Sequence, residues 1–334
     1  MNATVSWRAG VATDPGLERP VNEDRVLVDE ALGMFLVVDG LGGHAAGELA
    51  AETAIRAIAG HLEAAALEER RDVEENIRRA ITEANNRIFE LAQTNEEWRG
   101  MACVLTLAVA HEDRVTVGHV GDSRLYLVWN GNLRKLTSDH SPVGEQEEQG
   151  ELTEEQAMQH PRRNEVFRDV GSQPHSPHDL QFIETRTFRF RPDAALLLCS
   201  DGLSDVLTSA EISAVVERYD GDPEHTAQQL VAAANEAGGK DNISVVFVAG
   251  PDFLGSESNT LVEVRPRHAA TRMRTTASRW RVVLRNVLWL IAGMILGILL
   301  WTTYERFGPQ WFPPAKTPAP AHTDAGWPPA PAPK

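Results

Sequence analysis

The feature that most limits the fold is the shortness of the connections between the apolar strands in the middle of the chain. Runs at 103–110, 114–120 and 124–129 are separated only by "HED" and "GDS", and the last of them ends on the Asn130-Gly131 pair. A parallel crossover needs about a dozen residues or more, so connections this short permit hairpins and exclude parallel pairing. Further strand-like runs lie at 25–28, 34–38, 182–190, 194–199 and 243–249. Helical periodicity is clearest where Val73, Ile77, Ile81, Ala84, Ile88 and Leu91 recur at three- and four-residue steps, which predicts an amphipathic helix over 72–94. "HAAGELAAETAIRAIAGHL" reads as a second helix; Thr208 with Glu211 forms a capping box that opens a third, and Pro223 opens a fourth. The predicted class is α+β: mainly antiparallel sheets covered by pairs of helices.

Onto this frame the chain places acids at strand mouths. "MFLVVDG" puts Asp39 at the end of a buried run, and "ALLLCSDG" does the same for Asp201. "VTVGHVGDSR" sets Asp122 just after an alternating strand, "GGKDNISVVFV" sets Asp241 just before the last one, and "RPVNEDRVLV" places Glu23 and Asp24 likewise. One acid at a loop-facing strand end is ordinarily a turn residue. Five such placements argue for convergence, and converging carboxylates repel one another unless a cation neutralises them. All-oxygen ligation points to Mg2+ or Mn2+ rather than Zn2+, which favours His and Cys. Glycines beside Asp39 and Asp201 let the backbone come close, and the Gly40 carbonyl can then serve as a ligand.

Composition bounds the rest. A net charge of -16 argues against a nucleic-acid binder, and 42% hydrophobic residues allow a sizeable core. Cys103 and Cys199, each inside an apolar run, read as core residues of a reducing compartment rather than as a disulfide. The N-terminal "MNATVSWRAG" lacks the apolar stretch of a secretory signal. Residues 282–304, "VVLRNVLWLIAGMILGILLWTTY", read as a transmembrane helix whose uncharged part spans roughly 28 Å at about 1.5 Å per residue. Arginines crowd the N-terminal flank of this span, so the positive-inside rule predicts a single-pass inner (cytoplasmic) membrane protein with its body in the cytoplasm. The domain organisation expected is a body over 1–252 and an Arg-rich juxtamembrane linker over 253–281, followed by the span and a Pro/Ala-rich extracytoplasmic tail over 305–334.

In order and spacing, "RPVNED", "VVDGLGGHAAGE", "VGDSR", "CSDGLSD" and "GGKDNIS" resemble the motif series of the metal-dependent Ser/Thr protein phosphatases of type 2C, bacterial members above all. The resemblance covers about residues 5–250. It implies a four-layer α-β-β-α sandwich and hydrolysis of phosphoserine and phosphothreonine by a water activated between two cations. It further implies that Asp39 bridges two ions, that Glu23 and the Gly40 carbonyl complete one site, and that Asp201 and Asp241 complete the other. Asp122 matches the ligand of a third, weaker ion, and Arg19 matches the arginine that grips the substrate phosphate. Asp24, Asp205 and Asn242 are expected to orient these groups.

The chain departs from the family in places. Leu41 follows Gly40 where eukaryotic relatives carry the His assigned as proton donor, and the imidazole here is His44. "MACVLT" replaces a Gly-Thr-Thr-like run. Residues 138–171 correspond to the flap beside the active site and carry Glu145, Glu147, Glu148, Glu151, Glu154 and Glu155. Such a run is ordinarily a solvated face; the functional alternative is selection of substrates with basic flanks. The expected partners are phosphorylated Ser/Thr proteins, a Ser/Thr protein kinase among them, and a membrane. The competing reading is a catalytically silent phosphoprotein-binding or sensor module of the same fold, which the intact acids disfavour.

Overall fold

A computed structural model describes residues 7–42, 45–67 and 72–255. Among them ten strands form two five-stranded sheets in which every pairing is antiparallel. In chain order the first elements are β1 (Arg8–Asp14), β2 (Arg25–Asp29), β3 (Met34–Leu41), α1 (Ala45–Leu67) and α2 (Val73–Ala92). The hairpin strands β4 (Ala102–His111), β5 (Arg114–Val120), β6 (Arg124–Trp129) and β7 (Asn132–Lys135) follow. The flap contributes the short helices α3 (Pro142–Glu148) and α4 (Glu154–Met158). The remainder is β8 (Glu184–Arg189), β9 (Ala194–Cys199), α5 (Asp201–Ser204), α6 (Ser209–Val216), α7 (Pro223–Glu236) and β10 (Ile243–Ala249). One sheet has the order β1-β10-β9-β6-β7 and the other β2-β3-β4-β5-β8.

The layering follows from strands that are apolar on both faces. Along β3, Met34, Leu36 and Val38 join the core under α1 and α2, whereas Phe35 and Val37 point into the core between the sheets. Along β9, Ala195, Leu197 and Cys199 pack beneath α6 and α7, while Leu196 and Leu198 meet Phe35 and Val37 across the middle. Three apolar layers therefore separate four layers of structure, and the continuous runs in the sequence are strands buried on both sides. Both cysteines are buried and free, as their apolar surroundings imply.

The helices begin where their capping residues predict. Asp72 accepts the Glu75 amide at α2, and Thr208 and Glu211 make both bonds of the capping box at α6. Pro223 opens α7 behind Asp222, whose carboxylate accepts the Glu224 and His225 amides. Strand β1 had no such local signal. "RAGVATD" has little β-forming character of its own, and its pairing with β10 joins segments more than 200 residues apart. Gly10 in its centre is where α7 crosses: a Cβ there would lie 2.1 Å from the Glu224 nitrogen. The run at 182–190 is shorter as a strand because Phe182 and Ile183 turn into the α1/α2 core. Among the described residues no helix is long and apolar enough to cross a membrane, and the predicted span at 282–304 lies outside them, as do the linker beyond residue 255 and the tail.

Candidate active site

The acids converge because of the antiparallel order. Strands β3, β5 and β9 run out toward one end of the sandwich, and β2, β6 and β10 start there. Asp39 near the end of β3, Glu23 before β2, Asp122 between β5 and β6, Asp201 after β9 and Asp241 before β10 all arrive at that end. With Arg19, Gly40 and Asn242 they line one open pocket of about 260 Å³. The structure thus brings together each described residue expected at the site. His44 lies outside the described residues.

Burial and mutual repulsion dominate the electrostatics. Burial, then Asp24, Asp201, Asp122 and Asp241, push the Asp39 carboxyl well above the usual carboxylate range. Asp122 is raised by burial and by Asp201, against the pull of Arg163, and Asp201 is raised by burial and by Asp241. Asp39 and Asp201 act on each other's charge, and Asp201 Oδ1 is buried with no hydrogen-bond partner. Glu23 Oε2 and the Gly40 carbonyl also come together. A Cβ on Gly47, in the first turn of α1, would stand 2.4 Å from the former and 2.9 Å from the latter. Only glycine leaves that space. Orphaned oxygen, crowded carboxylates and a bare carbonyl form an all-oxygen donor set of the kind that hard divalent cations take.

Neighbouring groups hold these donors in place. Asn242 Oδ1 accepts the Glu23 amide at 2.7 Å, and its Nδ2 donates to the Pro15 and Val21 carbonyls at 2.9 Å each, pinning the Arg19–Glu23 loop to the start of β10. Asp24 is buried, accepts the Ser200 hydroxyl at 2.8 Å, and is pushed up to about 7, first by burial. Arg19 Nη2 donates to Asp241 Oδ2 at 2.7 Å with half of its side chain exposed, so its guanidinium sits on the pocket wall.

Sequence reasoning missed Arg163. Buried in the flap, it lies 2.6 Å from Asp205, 3.5 Å from Asp122 and 3.8 Å from Asp139. Nothing in "HPRRN" distinguishes it from the exposed Arg162. The acidic flap run also has more structure than a solvated face. Glu147 pairs with Arg124, Glu148 pairs with Lys135, and Glu154 accepts the backbone and hydroxyl of Ser209 at the start of α6.

The sequence profile of the family described as Protein phosphatase 2C matches residues 19–237. The chain belongs to the protein phosphatase 2C family. It is 36% identical over 240 residues to the serine/threonine phosphatase stp of Listeria welshimeri, covering 71% of this chain and 93% of that one. The crystal structure of the Mycobacterium tuberculosis serine/threonine phosphatase PstP/Ppp superposes with a TM-score of 0.65 at 30% identity, over 73% of this chain and 98% of that one. A catalytic domain of the phosphatase PstP in complex with 2 manganese ions superposes with a TM-score of 0.64 at 29% identity, over 74% and 99% of the two chains. The protein is a Ser/Thr phosphatase of the 2C type, of α+β fold, and its family is metal-dependent.

Proposed function

We propose that this phosphatase is anchored in the inner (cytoplasmic) membrane by residues 282–304, with its catalytic body, residues 1–252, facing the cytoplasm. There it removes phosphate from phosphoserine and phosphothreonine of proteins, reversing the action of a Ser/Thr kinase. The observation that carries the catalytic reading is the meeting of Glu23, Asp39, Asp122, Asp201 and Asp241 in one pocket with Arg19 on its wall. The membrane reading rests on the apolar span and its arginine-flanked side.

Glu23, the Gly40 carbonyl and Asp39 would hold one Mn2+ or Mg2+, and Asp39, Asp201 and Asp241 a second, with Asp122 available to a third. Bound there, paired divalent cations lower the pKa of a water and neutralise charge on the phosphoryl oxygens. Arg19 supplies a planar fork to the phosphate, which competes with Asp241 for the guanidinium. Asn242 keeps the Arg19–Glu23 loop in register with β10. The proton for the departing alkoxide is assigned to His44 on the sequence alone.

The test is phosphate release from a phosphothreonine peptide by the full chain with Mn2+. EDTA is expected to stop it, and turnover that survives chelation overturns the mechanism. If His44 is the acid, His44→Ala slows a phosphoserine peptide while sparing p-nitrophenyl phosphate, whose leaving group needs no proton; equal loss on both removes the assignment. Membrane anchoring predicts that the full chain fractionates with membranes and that external protease trims only the tail. Full-length protein recovered in the soluble fraction counts against it.

A further inference from the structure

His140, near the start of the flap, grips the turn that carries Asp122. It is 5% exposed. Its backbone amide donates to the Gly121 carbonyl at 2.7 Å, and the Gly121 amide donates back to its Nδ1 at 3.0 Å. Gly121 is in the left-handed region, with φ of 108°, and a Cβ there would fall 2.2 Å from the Val104 side chain. The turn therefore has one shape, and a single residue holds it by both its acceptor and its donor. The His140 carbonyl accepts the Phe167 amide at 3.0 Å, on the returning limb of the flap. Beyond the ring, Nε2 faces Arg168 Nη1 at 2.9 Å and Glu184 Oε2 at 3.6 Å. One residue, through its backbone and its ring, thus joins the Asp122 turn, both limbs of the flap and the edge strand β8.

The buried Gly121 amide decides which ring nitrogen keeps its lone pair. A neutral imidazole has one N–H and one lone pair, and the buried Gly121 amide needs an acceptor. Nδ1 therefore keeps the lone pair; the Nε2 proton is left to Glu184 Oε2 at 3.6 Å, and Arg168 Nη1 at 2.9 Å, which can only donate, is a close contact to Nε2 and not a hydrogen bond to it. The ligand atoms of His119, His140 and Glu184 lie within 4.8 Å of one another, a spacing that a metal ion could bridge. However, His119 Nδ1 and Nε2 already meet Thr106 and the Ser138 carbonyl at 2.9 Å each. An ion on His140 Nε2 would also force a proton onto Nδ1, against the Gly121 N–H. His119 and Glu184 are tied through Ser138, whose carbonyl meets the one and whose amide donates to the other at 3.1 Å, and the His119 and His140 rings pack against each other, so the trio is a brace.

We propose that His140 is a positioning residue: through Nδ1 it fixes the Gly121–Asp122 turn and ties the Asp122 carboxylate to the flap. Arg163, 3.5 Å from Asp122, reaches the same carboxylate from the returning limb. The inference rests on the reading of Asp122 as a cation ligand, and the test separates the two.

The full chain, purified in detergent, is compared with His140→Asn, His140→Gln and His140→Leu. Asn puts its amide oxygen near the place of Nδ1, Gln puts it near that of Nε2, and Leu fills space with neither. Readouts are Mn2+ titration calorimetry, kcat and KM on a phosphothreonine peptide, and hydrogen–deuterium exchange of the segment 119–123. The Asn variant should stay within about threefold of the parent, while Gln and Leu weaken the loosest Mn2+ site by about tenfold or more, the effect expected of a group that orients a ligand. In those two variants kcat should fall with KM and the tighter sites unchanged, and the Gly121 amide should exchange faster. A packing role predicts the opposite order, with the small Asn worst, and that result overturns the proposal. If Asp122→Asn leaves the Mn2+ isotherm unaltered, the cation reading of Asp122 fails. Exchange then decides on His140 alone, and equal exchange in the Asn and Gln variants overturns it.

Discussion

Asp39 sits beside Asp24, Asp201, Asp122 and Asp241 in a site where burial already disfavours its charge. A group in that position is useful to the chain only with positive charge supplied from outside. Asp39→Asn keeps the shape and removes the charge, so folding should survive while phosphopeptide turnover falls by about 10²–10³-fold or more, the cost of losing one strong electrostatic contact to the transition state. Circular dichroism with a phosphate-release assay checks both halves. Gly47→Ala makes a sharper demand. The added methyl would stand 2.4 Å from Glu23 Oε2, so Glu23 must move, and Mn2+ affinity measured by calorimetry should drop although no ligand has been altered.

The flap is the element whose role the packing explains best. Arg124 on β6 reaches Asp139 with Nη2 at 2.6 Å and Glu147 at 3.1 Å, Lys135 reaches Asp139 at 3.3 Å, and Arg163 comes back to Asp139 and Asp205. Burial alone would raise the Asp139 carboxyl, but the Arg124, Lys135 and Arg163 cations hold it below the usual range. Arg124→Ala leaves that buried charge short of its main partner and should destabilise the fold by about 3–5 kcal/mol in urea denaturation. The sign of the pH effect follows from the depressed pKa: the contribution is complete above about pH 4, the value for the unfolded chain, and is lost as pH falls below it. The same variant should therefore flatten the acid limb of the stability curve. Equal acid sensitivity in variant and parent would show that Asp139 is not what titrates there.

For the whole molecule, the opposite sign applies to the carboxyls at the pocket. Asp24 and Asp205 are both pushed up to about 7, chiefly by burial, from an ordinary value near 4. Between those values the folded protein binds more protons than the unfolded chain, so cation-free stability falls as pH rises. In EDTA the melting temperature should decline from pH 5 to pH 7.5, and Mn2+ should raise it more at the upper end, where the acids it neutralises are otherwise charged. Calorimetric scans across that window, with and without the metal, check the prediction.

Within the chain itself, local signals were enough for the two long helices, the hairpin strands and the acids at the strand mouths, because periodicity, capping and turn chemistry act over a few residues. Strand β1 lacked such a signal, since its partner β10 lies at the far end of the domain and Gly10 answers to the approach of α7. Arg163 and His140 were equally unreadable. Arg163 looks no different from Arg162 beside it, nothing in "SDHSP" marks His140, and only the folding back of the flap makes one a partner of Asp205 and the other the clamp on Gly121. The order of residues determined which groups could bind a cation and which segments would be strand or helix, through forces whose range is a turn or a pleat. Tertiary structure decided which of those groups share a pocket and which side chains steady them. Burial and charge repulsion act through space, between residues that the sequence keeps far apart.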